Sequence, residues 1–366
     1  LARQPGAELL SFLEREGARV AVPAWLDPCA VDFGRAAEWV TSYGVDTVFV
    51  EKDRETQRLC QALGFCPTHT CINYQTIEAP AFGDHLAWGD TGAAIAANAI
   101  FGARTNFEGG PSALASALIG CSPDYGMHRR ENRRGNLSVL LECAPSEIVE
   151  LGALAAIVGR LAVGYDTVPV MDGDVAAPDF DGLKQLAVAL ASYGGHAMFH
   201  LVVVTPEALT TEAAFGGAVP DEDDVVRPSD LDASFREGST LHDGVVDFVV
   251  FAAPQLSIDE VRAVVAGLQG RRIHQDTRLL LAVDPQVRAL SDRDGLTAAL
   301  EDAGETFSTG TCFYPKAPML REATGWKNLV TNSAKLVNTL ASAGYDVAWR
   351  RLGACLDAAV AGRISA

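Results

Sequence analysis

Short apolar runs and longer amphipathic runs take turns along this chain. GAELLSFLEREG reads as an amphipathic helix, ARVAVPAW as a buried strand and DFGRAAEWVTSYG as a second helix. VDTVFV is strand-like, and DRETQRLCQALGF reads as a third helix. The middle continues with LSVLLEC (strand), SEIVELGALAAIVGRLAV (helix), TVPVMDG (strand), DFDGLKQLAVALASYG (helix) and HAMFHLVVV (strand). The last third adds VDFVVFAAP (strand), SIDEVRAVVAGLQG (helix), TRLLLAVDP (strand), DGLTAALEDAG (helix) and TFSTGTCF (strand or loop). It closes with YDVAWRRLGACLDAAVAG, which ends in a helix. Strands of about 5–7 residues alternating with longer helices predict an α/β fold with largely parallel sheets. Residues 210–243 are acidic, punctuated by Gly and Pro and weakly periodic, and read as an excursion before the last lobe. In such sheets ligands sit beyond the carboxyl ends of strands, which singles out the turns at 172–174, 205–207, 252–255 and 309–314.

One segment departs from this rhythm. TGAAIAANAIFG (91–102) is apolar and made of small residues, as expected of a buried helix against which other backbones pack closely. It delivers the polar loop ARTNFEGGPS. There Gly109 and Gly110 permit positive φ and bare backbone N–H groups. Pro111 and Ser112 suit the first turn of a following helix, whose N-terminal donors favour an anion. Arg104 adds a planar fork matched to carboxylate or phosphate. Thr105, Asn106 and Ser112 complete a candidate anion site, the alternative being a loop whose polar side chains satisfy its own backbone. His128, Arg130, Glu131 and Arg133 follow in YGMHRRENR, as a site or as a solvated face.

Composition narrows the function classes. The chain has 366 residues, 48% hydrophobic and 21% charged, enough for a large core or several lobes. Its 47 acidic against 29 basic residues give a formal charge of −18, which argues against nucleic acid as a partner. The acidic run at 221–224 reads as a solvated loop, because consecutive carboxylates diverge. No stretch reaches the ~18 apolar residues of a membrane helix, and the nearest, at 151–163, is interrupted by Arg160. With no leader-like segment, a cytoplasmic protein is expected; a start at Leu1 suggests a fragment or processed product. The eight cysteines are irregularly spaced and include no CxxC, so a disulfide framework is not expected. Cys29, Cys60, Cys121, Cys143 and Cys355 read as small buried hydrophobes.

FGDHLAWGDTGAAIAANAIFGARTNFEGGPSALASALIG, with the YGMHRRENR that follows, resembles the hallmark of the aconitase X family. FHLVVVTPEA with AFGG, DFVVFAAPQLSIDEV, and TGTCFYPKAP through VTNSAKLVN resemble the same family in the same order. The resemblance implies an aconitase-like α/β fold of three stacked lobes (roughly 1–135, 136–245 and 246–366) around a central cleft. It also implies a swivelling β-rich domain, fused upstream or carried on a small subunit, that these 366 residues do not contain. The activity implied is that of a hydro-lyase dehydrating a small hydroxy acid, such as cis-3-hydroxy-L-proline or mevalonate 5-phosphate. High Ala and Gly content and more Arg than Lys suggest a GC-rich bacterial genome and lean toward the amino-acid substrate. A cluster-free homologue running isomerisation, proton transfer or ring formation on a carboxylate is the alternative, and a non-catalytic scaffold a third.

Family members bind an iron–sulfur cluster through three cysteines on three loops. The resemblance places Cys71 (THTCINY) and Cys312 (TGTCFY) at two of these positions, and Ala253 (FAAPQ) at the other. A methyl group cannot ligate iron, so the cluster is expected to be non-standard or lost, with His69 or Gln255 as substitute ligands. Cys71 and Cys312 are expected close together, near Ala253. Within VTNSAK, Asn332 is implied in substrate binding and Ser333 or Lys335 in proton handling, although Ser and Asn before a helix are also ordinary caps. Asp84 and His85 form a candidate acid/base pair or, structurally, a cap and a satisfied histidine. Metal ligation at His196 and His200 is not expected. Arg104 and Lys335 are expected to point into one cleft, where Arg104, Thr105, Asn106, Gly109, Gly110 and Ser112 would hold the substrate's carboxylate or phosphate.

Overall fold

The computed structural model describes residues 4–173, 177–217, 220 and 224–365. Leu137–Leu141 (β1), Pro169–Gly173 (β2), His200–Leu201 (β3) and Asp224–Val226 (β4) form a parallel sheet in the order β3-β2-β1-β4. Gly244–Val245 (β5) pairs antiparallel with Arg363–Ile364 (β11). Between them lie Phe248–Leu256 (β6), Arg278–Val283 (β7), Glu305–Thr309 (β8), Asn328–Thr331 (β9) and Asp346–Trp349 (β10). These five make a second parallel sheet, ordered β10-β9-β6-β7-β8. The parallel α/β architecture read from the alternation is therefore the fold. β6 is central, and its sequence FVVFAAPQL is apolar almost throughout because helices cover both faces of a parallel sheet.

Helices Ile148–Leu161 and Phe180–Gly194 pack against each other, and Thr91–Ala99 packs on the second of these. The small residues of Thr91–Ala99 permit this approach. A methyl group added at Gly92 would lie 3.1 Å from Cγ2 of Val188. Asp90 caps this helix by accepting from the Ala93 N–H at 2.9 Å.

Several local expectations fail for tertiary reasons. ARVAVPAW forms no strand; Trp25 makes only an isolated bridge to Cys66. Among described residues up to 135, only such single bridges occur, so an apolar run there finds no ladder to join. VDTVFV instead opens helix Thr47–Ala62, capped by Asp46, with Val50 turned inward and Val48 outward. HAMFHLVVV yields only β3, because Val203 takes φ 67 and turns the chain. The acidic excursion contains helix Pro228–Gly238, and Pro285–Arg293, Ala334–Leu340 and β9 are further elements that the periodicity did not reveal. Asp174 in the 172–174 turn and residues 221–223 of the acidic run lie outside the described residues. Cys121 is exposed rather than buried, whereas Cys29, Cys60, Cys143 and Cys355 are in the interior.

Candidate active site

The carboxyl ends of β6, β8 and β9 meet the segment around Cys71 and the N-terminus of helix Thr91–Ala99. Gln255, near the end of β6, ties these loops together. Its Oε1 accepts from the Cys71 N–H at 3.0 Å, and its own N–H donates to Cys71 Sγ at 3.4 Å. Its Nε2 lies 3.2 Å from the His69 carbonyl, 3.4 Å from that of Val283 and 3.5 Å from that of Thr311. The side chain is buried, so these are its partners rather than solvent.

The turn carrying Cys312 is held from the other side. The Cys312 N–H donates to the Cys29 carbonyl, and the Cys29 N–H to that of Gly310. Beneath this turn Lys316, fully buried, donates to Ser308 Oγ and Thr311 Oγ1 at 2.7 Å each and lies 4.4 Å from the centre of the Trp39 ring. Burial pulls Lys316 down to about 8, against the pull of nearby Cys312 and Asp32. Cys71 and Cys312 lie within electrostatic reach of each other. Burial pushes both thiols up; neighbouring Asp90 adds to the rise and Lys335 opposes it.

Lys335, on the first turn after β9, donates to Thr91 Oγ1 at 3.1 Å, and its Nζ stands 5.8 Å from the centre of the Tyr314 ring. The Asp90 carboxylate also lies within electrostatic reach of Asp27. Asp27 is crowded by protein yet still open to water, and loss of surrounding solvent together with the Asp90 carboxylate pushes it up to about 7. Ser333 donates to the Ala253 carbonyl at 2.8 Å and caps helix Ala334–Leu340 by accepting from the Leu336 N–H. Its role in the structure is thus the capping one. Asn332 lines a cavity of about 270 Å³ with Gln185 and Glu260.

The donors here do not match a three-thiolate cluster. Ala253 presents a methyl group, and both ends of the Gln255 amide are committed to backbone. Among the described residues no group of three or more His, Cys, Asp or Glu side chains is arranged to hold a metal ion. His69 remains half-buried with Nδ1 unpartnered, at φ 51.

The ARTNFEGGPS loop lies elsewhere. Thr105 and Asn106 are buried and bond within the protein. Thr105 Oγ1 donates to the Asn106 carbonyl and accepts from Trp88 N–H, while Asn106 Oδ1 accepts from Met127 N–H and the Tyr165 hydroxyl. Gly109 has φ −61 and serves as N-cap of helix Gly110–Ile119, so neither glycine adopts the expected positive φ. Ser112 donates to the buried carboxylate of Glu108, which already supplies the negative charge this helix N-terminus favours. His85 pairs with His128 (Nδ1 to Nδ1 2.8 Å, rings stacked), and Asp84 instead accepts from the Ala81 N–H. Arg104 donates to the His128 carbonyl and lines a cavity with Arg130 and Arg133. It sits at the far end of helix Thr91–Ala99 from Lys335, about 13 Å of helix away. Lys335 is not among the residues that line the Arg104 cavity.

Sequence reasoning missed Asp27, Asp90, Thr91, Tyr314 and Lys316. Asp90 and Thr91 carried a usable signal, an Asp-Thr cap opening the buried helix. Asp27 carried none, since only the tertiary fold brings it to Asp90.

Models of the aconitase X first, second and third domains match residues 2–131, 135–236 and 246–361. The chain belongs to the aconitase X family. Among its relatives, the phosphomevalonate dehydratase large subunit of Methanothermobacter thermautotrophicus is 33% identical over 91% of this chain and 79% of that protein. The cis-3-hydroxy-L-proline dehydratase of Pseudomonas aeruginosa is 31% identical over 98% of this chain but 61% of its own length. The crystal structure of Thermococcus kodakaraensis aconitase X in its holo-form superposes with a TM-score of 0.81 at 28% identity, covering 97% of this chain and 86% of that one. As in the sequence reading, no helix among the described residues is long and apolar enough to cross a membrane.

Proposed function

We propose that this aconitase X chain is the catalytic part of a hydro-lyase that removes water from a small hydroxy acid at the recess between Asp27, Asp90, Thr91, Cys71, Cys312 and Lys335. The observation that carries this reading is the contact of a cation with a hydroxyl beyond the carboxyl ends of parallel strands, with the Asp90 and Asp27 carboxyls within electrostatic reach of each other. Lys335 and Thr91 hold the substrate carboxylate, where negative charge grows as the neighbouring C–H bond breaks. Asp90 accepts that proton, Asp27 gives its own to the departing hydroxyl, and water leaves. The proton then passes from Asp90 to Asp27, which restores the starting state. The relatives named for cis-3-hydroxy-L-proline and phosphomevalonate support a hydroxy carboxylate as substrate.

Cofactor and partner are part of the same proposal. We infer that no standard three-thiolate cluster is held, because the third anchor is Ala253; a cluster-free isomerisation on a carboxylate is the reading this favours second. A β-rich swivelling domain, separate or fused, completes the site. The relatives supporting this are a large subunit in one case and a longer polypeptide in the other. Unpaired cysteines suit the cytoplasm. The test is turnover of cis-3-hydroxy-L-proline and mevalonate 5-phosphate by the full protein with its partner domain, with the unsaturated product followed by NMR. Lys335→Ala should lose at least about 100-fold in kcat/KM, some 2.7 kcal/mol. Wild-type-like turnover by that variant would remove the centre from Lys335.

A further inference from the structure

The cavity around Arg104 is large, about 700 Å³, and its charge is unlike that of the rest of the molecule. In a chain carrying −18, four arginines (104, 130, 133 and 134) line it against two glutamates, 207 and 212, leaving +2. Arg133 is fully buried and committed. It pairs with Glu207 and donates to the Asn98 and Met127 carbonyls. Arg104 keeps part of its fork free beyond its bond to the His128 carbonyl. Arg130 and Arg134 are exposed and have no ion-pair partner among the described residues.

A second observation points to a ligand. His200 lines the same cavity and is 1% exposed. Its Nε2 lies 2.8 Å from the Arg133 carbonyl, which only an N–H can satisfy, so Nδ1 is left as a bare acceptor with no partner. Burial holds this ring below its ordinary value, in keeping with the neutral form. A neutral imidazole with an unpartnered acceptor in the wall, in a cavity that Arg104, Arg130 and Arg134 also line, suits a group that is anionic and also bears a hydroxyl or protonated oxygen. The rim supplies an apolar surface. Phe82, 64% exposed, lies over Gly102, where an added methyl group would meet its ring at 2.4 Å and Pro206 at 3.2 Å.

We propose that this cavity is a second ligand site, distinct from the recess at Lys335, for a small phosphate monoester whose carbon portion rests on Phe82 and Pro206. A phosphate monoester carries about −1.5 to −2 at neutral pH, which balances the +2 of the wall where a single carboxylate does not. The volume suits a metabolite-sized molecule rather than a bare ion. The proposal does not depend on the chemistry at Cys71 and Lys335.

Calorimetric titration with phenyl phosphate and with inorganic phosphate tests it, on wild type and on the Arg130→Glu/Arg134→Glu double variant. Both replaced side chains are exposed and unpaired, so the variant should fold, which circular dichroism and its melting temperature check. Phenyl phosphate should bind wild type saturably and about tenfold tighter than inorganic phosphate. It should lose at least about tenfold in the double variant, and weaken as salt is raised from about 50 to 300 mM. Phe82→Ala should erase the advantage of phenyl phosphate and leave inorganic phosphate unchanged. No saturable binding, equal binding by the charge-reversed variant, or no preference for the ester would each overturn the assignment.

Discussion

Gln255 is the side chain on which the geometry of the cysteine recess depends most directly, and Gln255→Leu isolates that dependence. Leucine keeps the approximate volume and removes both polar ends of the amide. The buried Cys71 N–H loses its 3.0 Å acceptor and the His69 carbonyl its 3.2 Å donor. The contacts to Val283 and Thr311, at 3.4 and 3.5 Å, are long and contribute little. Each buried group left without a partner costs about 1–3 kcal/mol, so two such groups give roughly 2–6 kcal/mol of destabilisation. That is a large fraction of the ~5–15 kcal/mol that holds a typical domain folded. Urea unfolding followed by circular dichroism measures the loss. A second readout separates loop positioning from bulk stability, namely the rate at which a thiol reagent labels Cys71 under native conditions. The rate should rise, because Cys71 Sγ also loses the register that brings it to the Gln255 N–H. A variant within about 0.5 kcal/mol of wild type, with unchanged labelling, would refute the view of Gln255 as the tie between these loops.

Asp27 should set a pH limb. With its carboxyl at about 7, activity that needs its proton falls as pH rises through neutrality, and Asp27→Asn should abolish both the activity and that limb. The same group acts on stability with a defined sign. Because its folded value lies above 3.8, the folded state holds the proton more tightly, so its contribution is full below about pH 4 and is lost as pH rises through about 7. Urea midpoints of wild type and Asp27→Asn should therefore diverge with rising pH; parallel curves would contradict the assignment. At Ala253, which already tolerates a Cβ at φ 57, Ala253→Cys adds only a thiol, and iron and acid-labile sulfide should rise above wild type after anaerobic reconstitution. Wild type that already carries stoichiometric iron and sulfide would overturn the reading of the missing anchor.

Much of the fold is legible in the sequence because it rests on local physics. The run of small residues at 91–102 became a buried helix, and the apolar runs at 137–141, 248–256 and 278–283 became parallel strands, since period and burial are properties of a segment. Cys71, Cys312 and Lys335 stand out through the family resemblance. What the sequence could not decide was which polar groups would be consumed in holding the chain together. ARTNFEGGPS has the composition of an anion site, yet its Thr and Asn are spent on backbone and its helix N-terminus on Glu108, because long-range packing buries them first. Arg104 parts from Lys335 because a helix about 13 Å long stands between them. Asp27 and Asp90 lie 63 positions apart in the chain, so the carboxylate that helps Asp27 retain its proton comes within reach only once the chain folds. The chain alone determines which segments are apolar and at what period; three-dimensional neighbours determine which charges remain free for a ligand.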